Sequence, residues 1–235
     1  MKQKSSNIII QKEGDKMKKL LGILAIASLL GQLSNGQTKD IGMVASATYV
    51  SSDVAKPGII IQKNPSAQFF LKGQYQNLSA FVWKSLSDRT DEIDIGIDYT
   101  YSHDEKNKIS GGYRLWKFRE GNSDDIIELN FEHEGDINAS VKVSKVIERK
   151  DLAANLTLSK ETSITKELKF TPSASTSYVN KFYNHTGWSH ITLGGILSYA
   201  INDNISIALS GNTQTGMIPK IEDCEYAKAG ITIKL

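Results

Sequence analysis

The sequence predicts an all-β chain: a transmembrane antiparallel up-and-down β-barrel of twelve strands, with ten as the alternative. Three observations predict it. An apolar run near the start has the length and flanks of an export signal. From residue 37 onward, segments of alternating apolar and polar residues succeed one another without a helical period. The connections between those segments alternate between tight and longer.

Met17-Lys18-Lys19 leads into LLGILAIASLLGQL, a charged start and apolar core that read as a secretory signal. The run is too short for a comfortable transmembrane helix. Ser34-Asn35-Gly36 offers small residues for cleavage before Gln37, and no cysteine follows the run, so a lipoprotein signal is excluded. Residues 1–16 fit no signal, and Glu13-Gly14-Asp15 can be encoded by a purine-rich ribosome-binding sequence. Translation is therefore expected from Met17. On this reading 1–16 is a non-native extension, 17–36 a signal peptide, and 37–235 an outer-membrane barrel.

Composition excludes several classes. The 235 residues contain 28 basic and 26 acidic side chains, but residues 1–36 hold six lysines and two acids. The remainder, with 22 basic against 24 acidic groups, offers no support for nucleic-acid binding. Mean hydropathy is negative, which argues against a helical membrane bundle; a barrel dilutes its hydropathy with inward polar residues. Cys224 is the single cysteine, so an internal disulfide is impossible.

Twelve period-two segments are expected, at 40–50, 66–75, 78–86, 92–101, 108–118, 125–133, 137–147, 151–159, 166–179, 188–200, 204–212 and 224–235. In the clearest, Ile93, Ile95, Ile97, Tyr99 and Tyr101 alternate with Glu92, Asp94, Gly96, Asp98 and Thr100. Alternation of this kind puts the two sets on opposite faces of a strand. Tight turns are expected at 76–77, 103–107, 134–136, 161–165 and 201–204, and longer loops at 51–65, 87–91, 119–124, 180–187 and 214–223; 148–151 breaks the rule. Short turns on one side, long loops on the other and an even strand count describe a membrane barrel with both termini on the periplasmic side. Aromatic residues near segment ends, among them Tyr49, Tyr75, Trp83, Tyr99, Tyr101, Trp116, Tyr178, Trp188, Tyr199 and Tyr226, are expected as interfacial girdles.

The last segment, YAKAGITIKL, has Ala227, Ala229, Ile231, Ile233 and Leu235 on one face. A barrel closes by pairing such a strand with the first one. Lys228, Gly230, Ile233 and Leu235 resemble the C-terminal assembly signal of bacterial outer-membrane barrels, which usually ends on an aromatic residue. That resemblance implies recognition by the barrel-assembly machinery.

If the apolar face meets lipid, the opposite face lines a lumen. The candidate pore-lining residues are Lys72, Glu92, Asp94, Asp98, Arg114, Glu128, Glu132, Lys142, Lys169 and Lys228, with Lys234 beyond them. Acids gather on the fourth and sixth segments and bases nearer the C-terminus. The expectation is a narrow passive channel for small hydrophilic solutes. The alternative is a non-conducting structural or adhesive barrel whose long loops bind partners.

Two stretches resemble outer-membrane porins of the TorF / Gcw_chp type. They are Ser52-Asp53-Val54-Ala55-Lys56-Pro57-Gly58-Ile59, and Leu78-Ser79-Ala80-Phe81-Val82-Trp83 followed by the alternating strand 92–101. The resemblance covers about the first third of the mature chain. It implies a barrel and a pore, and it brings no catalytic residue to transfer; the leader read at 17–36 places that barrel in the bacterial outer membrane.

His103, His133, His185 and His190 have no metal-ligand spacing. Ser189-His190 has the residue types of a nucleophile and base, but neighbours on one strand point to opposite faces, so Ser189 is not expected to reach His190. No Gly-x-Ser-x-Gly turn is present. No enzyme, cofactor or metal is expected.

Overall fold

The computed structural model describes residues 41–55, 59–62, 65–87, 91–102, 104–118, 123–182, 185–218, 221 and 223–235. The expected extension, the signal segment and His103 lie outside these residues. Twelve long strands run in chain order: β1 (Ile41–Val50), β2 (Ser66–Tyr75), β3 (Leu78–Leu86), β4 (Glu92–Ser102), β5 (Asn107–Phe118), β6 (Ser123–His133), β7 (Asn138–Val146), β8 (Leu152–Ser159), β9 (Leu168–Phe182), β10 (His185–Ala200), β11 (Ile205–Gly216) and β12 (Cys224–Lys234). Every neighbour in sequence is an antiparallel neighbour in space. β8 pairs with β9, and β12 returns to β1 through Val44↔Lys234 to Val50↔Lys228. Each strand thus has two partners, and no edge is left unpaired.

Short polar side chains tie down the turns at the end where β1 begins. Gln76 of the two-residue turn takes the left-handed backbone, φ 51°. Asp104 Oδ1 accepts the backbone N–H of Lys106 and Asn107 at 2.8 and 2.7 Å, and Asn202 Oδ1 accepts those of Asn204 and Ile205 at 2.9 and 2.8 Å. Thr165 does the same for Glu167 and Leu168. A side chain that mimics a turn carbonyl lets strands reverse in a few residues.

The opposite end is less uniform than the sequence predicts. Residues 51–65 form the longest connection and carry a small separate ladder, Asp53–Ala55 against Ile59–Gln62. Seven residues, 217–223, separate β11 from β12. The expected loop at 180–187 is not there: β9 and β10 run past the bilayer-sized length and leave only residues 183–184 between them. Their extra length comes from pairing that continues to Phe182↔His185 through register shifts. Conversely, the 161–165 turn is the longer stretch 160–167, with Thr162–Ser163 extending the pairing onto β9.

The two faces separate by chemistry. On the convex face stand Ile95, Ile97, Ile127, Leu129, Leu193 and Leu209, each about half exposed, with Tyr49, Tyr75, Tyr99, Tyr101 and Trp188. Such a surface suits hydrocarbon bounded by amphipathic rings. Trp83, Trp116 and Tyr226 depart from the expected girdle. Trp83 and Trp116 both pair in register with Asp94, and Tyr226 pairs with Asn212, which places all three on the concave face.

This inside–outside assignment has a direct test. Leu209→Arg should cost about 2–4 kcal/mol of unfolding free energy in lipid, the range for arginine near the midplane. Arginine at the adjacent inward position, Ser210, should cost much less, because that face meets the polar lumen. Denaturant titration in vesicles reads both; equal costs would contradict the assignment.

Candidate functional site

The inner wall is built in rows, because residues paired across antiparallel strands share a face. One row runs Phe70–Trp83–Asp94–Trp116–Asp124 from β2 to β6. The next, two residues further along each strand, runs Lys72–Phe81–Gly96–Arg114–Ile126–Val146. The third contains Asp98–Gly112–Glu128–Ser144.

Where the second and third rows meet, four of the predicted residues come together. The Arg114 guanidinium donates from Nε to Glu128 and lies 3.1 Å from Asp98 Oδ1. Lys142 Nζ stands 3.4 Å from Glu128 Oε2, and Ser144 Oγ donates to Glu128 Oε1 at 3.0 Å. Arg114 also caps the Phe81 ring, 4.5 Å from its centroid, although Phe81 is two strands away on β3. Glu128 is 6% exposed in its side chain and Arg114 18%. A carboxylate held this closely needs its cation and hydroxyl partners to offset lost hydration.

Two glycines make the cluster possible. A Cβ on Gly96 would run into the Phe81 ring, and one on Gly112 into the Asp98 carboxylate. Gly96 lies between Phe81 and Arg114 in its row, so Phe81 folds flat over it and offers its face to the guanidinium. Gly112 lies between Asp98 and Glu128 and leaves the space both carboxylates use to reach Arg114.

The other predicted residues lie on the same wall but apart. Asp94 is flanked by Trp83 and Trp116, and Glu92 lies two residues before it on the same face of β4. Glu132 accepts the Asn130 amide at 2.7 Å. Lys169 pairs with Glu161 at 2.7 Å beside the 160–167 turn. Lys72 lies next to Phe81 in its row, and Lys228 Nζ is 5.5 Å from the Tyr226 ring centre. Lys108, which the sequence reading passed over, faces inward opposite Glu132 and bridges to Glu134 at 2.6 Å. Its place in a strict alternation was the available signal. In the 147–151 connection, Arg149 bonds Asp124 at 2.9 Å and approaches Asp151 at 3.3 Å. Burial pushes the Asp151 carboxyl above its ordinary range; Arg149 opposes this and Asp124 adds to it.

Ser189 and His190 overturn a sequence expectation. The pairing jumps from Ser177↔His190 to Tyr178↔Trp188, leaving Ser189 as an extra residue. A bulge of this kind turns consecutive side chains to one side. Both are buried, and Ser189 Oγ lies 2.9 Å from His190 Nδ1. Ser189 also donates to the Ser177 carbonyl at 3.1 Å. With its proton directed to the Ser177 carbonyl, Ser189 does not present it to the imidazole as a base-activated serine nucleophile would. Nearby, Ile218 packs on Ala153 and Val179, so the connection after β11 leans onto the inner wall.

No family model matches the sequence, and no curated protein does. Solved structures do match in fold. A KdgM porin in complex with disordered oligogalacturonate is 10% identical, with a TM-score of 0.59 over 82% of this chain and 98% of that one. A NanC porin is 11% identical, with a TM-score of 0.56 over 82% of this chain and all of the other. The chain has the closed twelve-strand barrel fold of these outer-membrane porins.

Proposed function

We propose that the mature chain is an outer-membrane porin of narrow bore, a passive channel for small hydrophilic solutes. The observation that carries this reading is the division of one closed sheet into an apolar convex face and a concave face bearing Lys72, Glu92, Asp94, Asp98, Arg114, Glu128, Glu132, Lys142, Lys169 and Lys228. Charge on this scale is costly in hydrocarbon and has purpose in water. The fold shared with porins supports the same reading. These ten side chains are the pore lining, and outer-membrane lipid is the surrounding solvent. The leader at 17–36 exports the chain, the barrel-assembly machinery recognises Lys228, Gly230, Ile233 and Leu235, and the protein is not an enzyme. The short stretches similar to TorF / Gcw_chp-type porins point to that group.

The test is single-channel recording of the full chain, expressed with its leader and purified from membranes. Discrete, reproducible openings are expected. Silence from protein that is folded, judged by a mobility change on boiling and a β-type circular-dichroism spectrum, overturns the channel and favours the non-conducting barrel.

A further inference from the structure

We infer that a recess in the inner wall across β5–β8 holds small organic ammonium ions, primary amines with a short apolar body. The inference rests on the channel reading, since the recess is reached from the lumen, and it names a class of solute that the wall retains. The recess measures about 410 Å³ with its open side included. Its floor is apolar and buried: Ile126 and Val146, a cross-strand pair, and Ala153 on the next strand. At the loop end the rim is Trp116 and Asp151. At the other end it is Glu128 and Lys142, the latter four residues before Val146 on β7. Four residues of strand are roughly 13 Å.

The carboxylates at the loop end share a cation. Arg149 Nη2 donates to Asp124 at 2.9 Å, and Arg149 Nε lies 3.3 Å from Asp151 Oδ2. Among the described residues one guanidinium thus serves both carboxylates, while the Asp151 side chain is only 9% exposed. Burial, and after it the Asp124 charge, favour a proton on Asp151, against the pull of Arg149. An ammonium beside Asp151 would take the place of that proton. It brings the second positive charge and up to three hydrogen-bond donors.

The rest of the recess sets which cation fits. Trp116 pairs in register with Asp124, so an indole stands next to the shared guanidinium site. The indole face is the best aromatic surface for a cation and also covers the carbons beside the charge. At the far end Glu128 already has Arg114, Lys142 and the Ser144 hydroxyl as partners, and Lys142 repels a further cation. The recess is therefore polarised. The head of an amine meets Asp151 and Trp116, and its body lies over the apolar floor. Potassium has the charge but no apolar surface to bury, and a short alcohol has the surface but no charge.

The experiment is the ionic current of the full-length-expressed protein in planar bilayers in potassium chloride, with n-butylammonium chloride added to both sides. Butylammonium should lower or interrupt the current, and butan-1-ol and potassium butyrate at the same concentration should not. Asp151→Asn should raise the half-blocking concentration about fivefold or more, the loss of one partly buried ion pair. Trp116→Leu should raise it about threefold, and it leaves the 147–151 connection untouched, which guards against misfolding of the first variant. A conducting wild type indifferent to butylammonium overturns the site while the channel stands. So does equal block by butan-1-ol or butyrate, or wild-type sensitivity in either variant. Silence from folded protein removes the channel and the site with it.

Discussion

Replacing Arg114 with glutamate should turn the lumen toward cations and weaken the barrel together. The guanidinium is the shared partner of Asp98 and Glu128 and the cap on Phe81. Its loss leaves Glu128 with Lys142 at 3.4 Å and the Ser144 hydroxyl, and leaves Asp98 without the cation it now faces. Breaking a buried pair by removing one member costs about 3–5 kcal/mol. Water on the lumen side of Arg114, 18% exposed, puts the expected loss at the lower end of that range or just beneath it. A third carboxylate in the same space adds repulsion. Arg114→Met separates the effects: it keeps the stem over Phe81 and removes the charge. Stability should fall with both variants in denaturant titration. The reversal potential should move further toward potassium with Arg114→Glu than with Arg114→Met. An unchanged reversal potential in folded Arg114→Glu would mean that ions do not pass this cluster.

Gly96→Val is the second large effect. Its side chain would occupy the place where the Phe81 ring lies, and neither the ring nor the backbone of β4 can share it. Overpacking a well-filled site costs about 1–3 kcal/mol. Here the ring has an escape, because it can swing into the lumen. The expected signature is therefore a smaller single-channel conductance as well as lower stability. Phe81→Ala in the same chain should restore both in part, since it removes the clash. If the double variant is no better than Gly96→Val alone, Phe81 is not what the glycine accommodates.

The strands were legible in the sequence because a barrel wall has two solvents. Lipid on one side and water on the other impose strict alternation, and Glu92–Tyr101 shows it over ten residues. The ten predicted lining residues share one face for the same reason. What alternation cannot express was missed. Trp83 and Trp116 look like girdle residues by type, yet their parity matches Phe81 and the inward row; parity was the better guide. Ser189 needed a bulge, which shifts register without any local marker beyond Gly187. The 183–184 connection is short because β9 and β10 outrun the membrane, and loop length read from turn residues could not show that. The roles of Gly96 and Gly112 depend on neighbours one strand away, invisible to a reading along the chain.

The seam between β1 and β12 sets the order in which the molecule can be made. Eleven of the twelve pairings join segments adjacent in sequence, and each can zip from its own turn. The twelfth joins Val44 to Lys234, across nearly the whole described chain. Closing a loop of close to two hundred residues costs roughly 3 kcal/mol more entropy than closing a four-residue turn, on a (3/2)RT ln n scaling. A chain halted before β12 would therefore be an open sheet with two hydrogen-bonding edges and an apolar outer face. Such a sheet invites strand addition from other chains. Completion of the last strand is then the step that separates a monomeric ring from an aggregate.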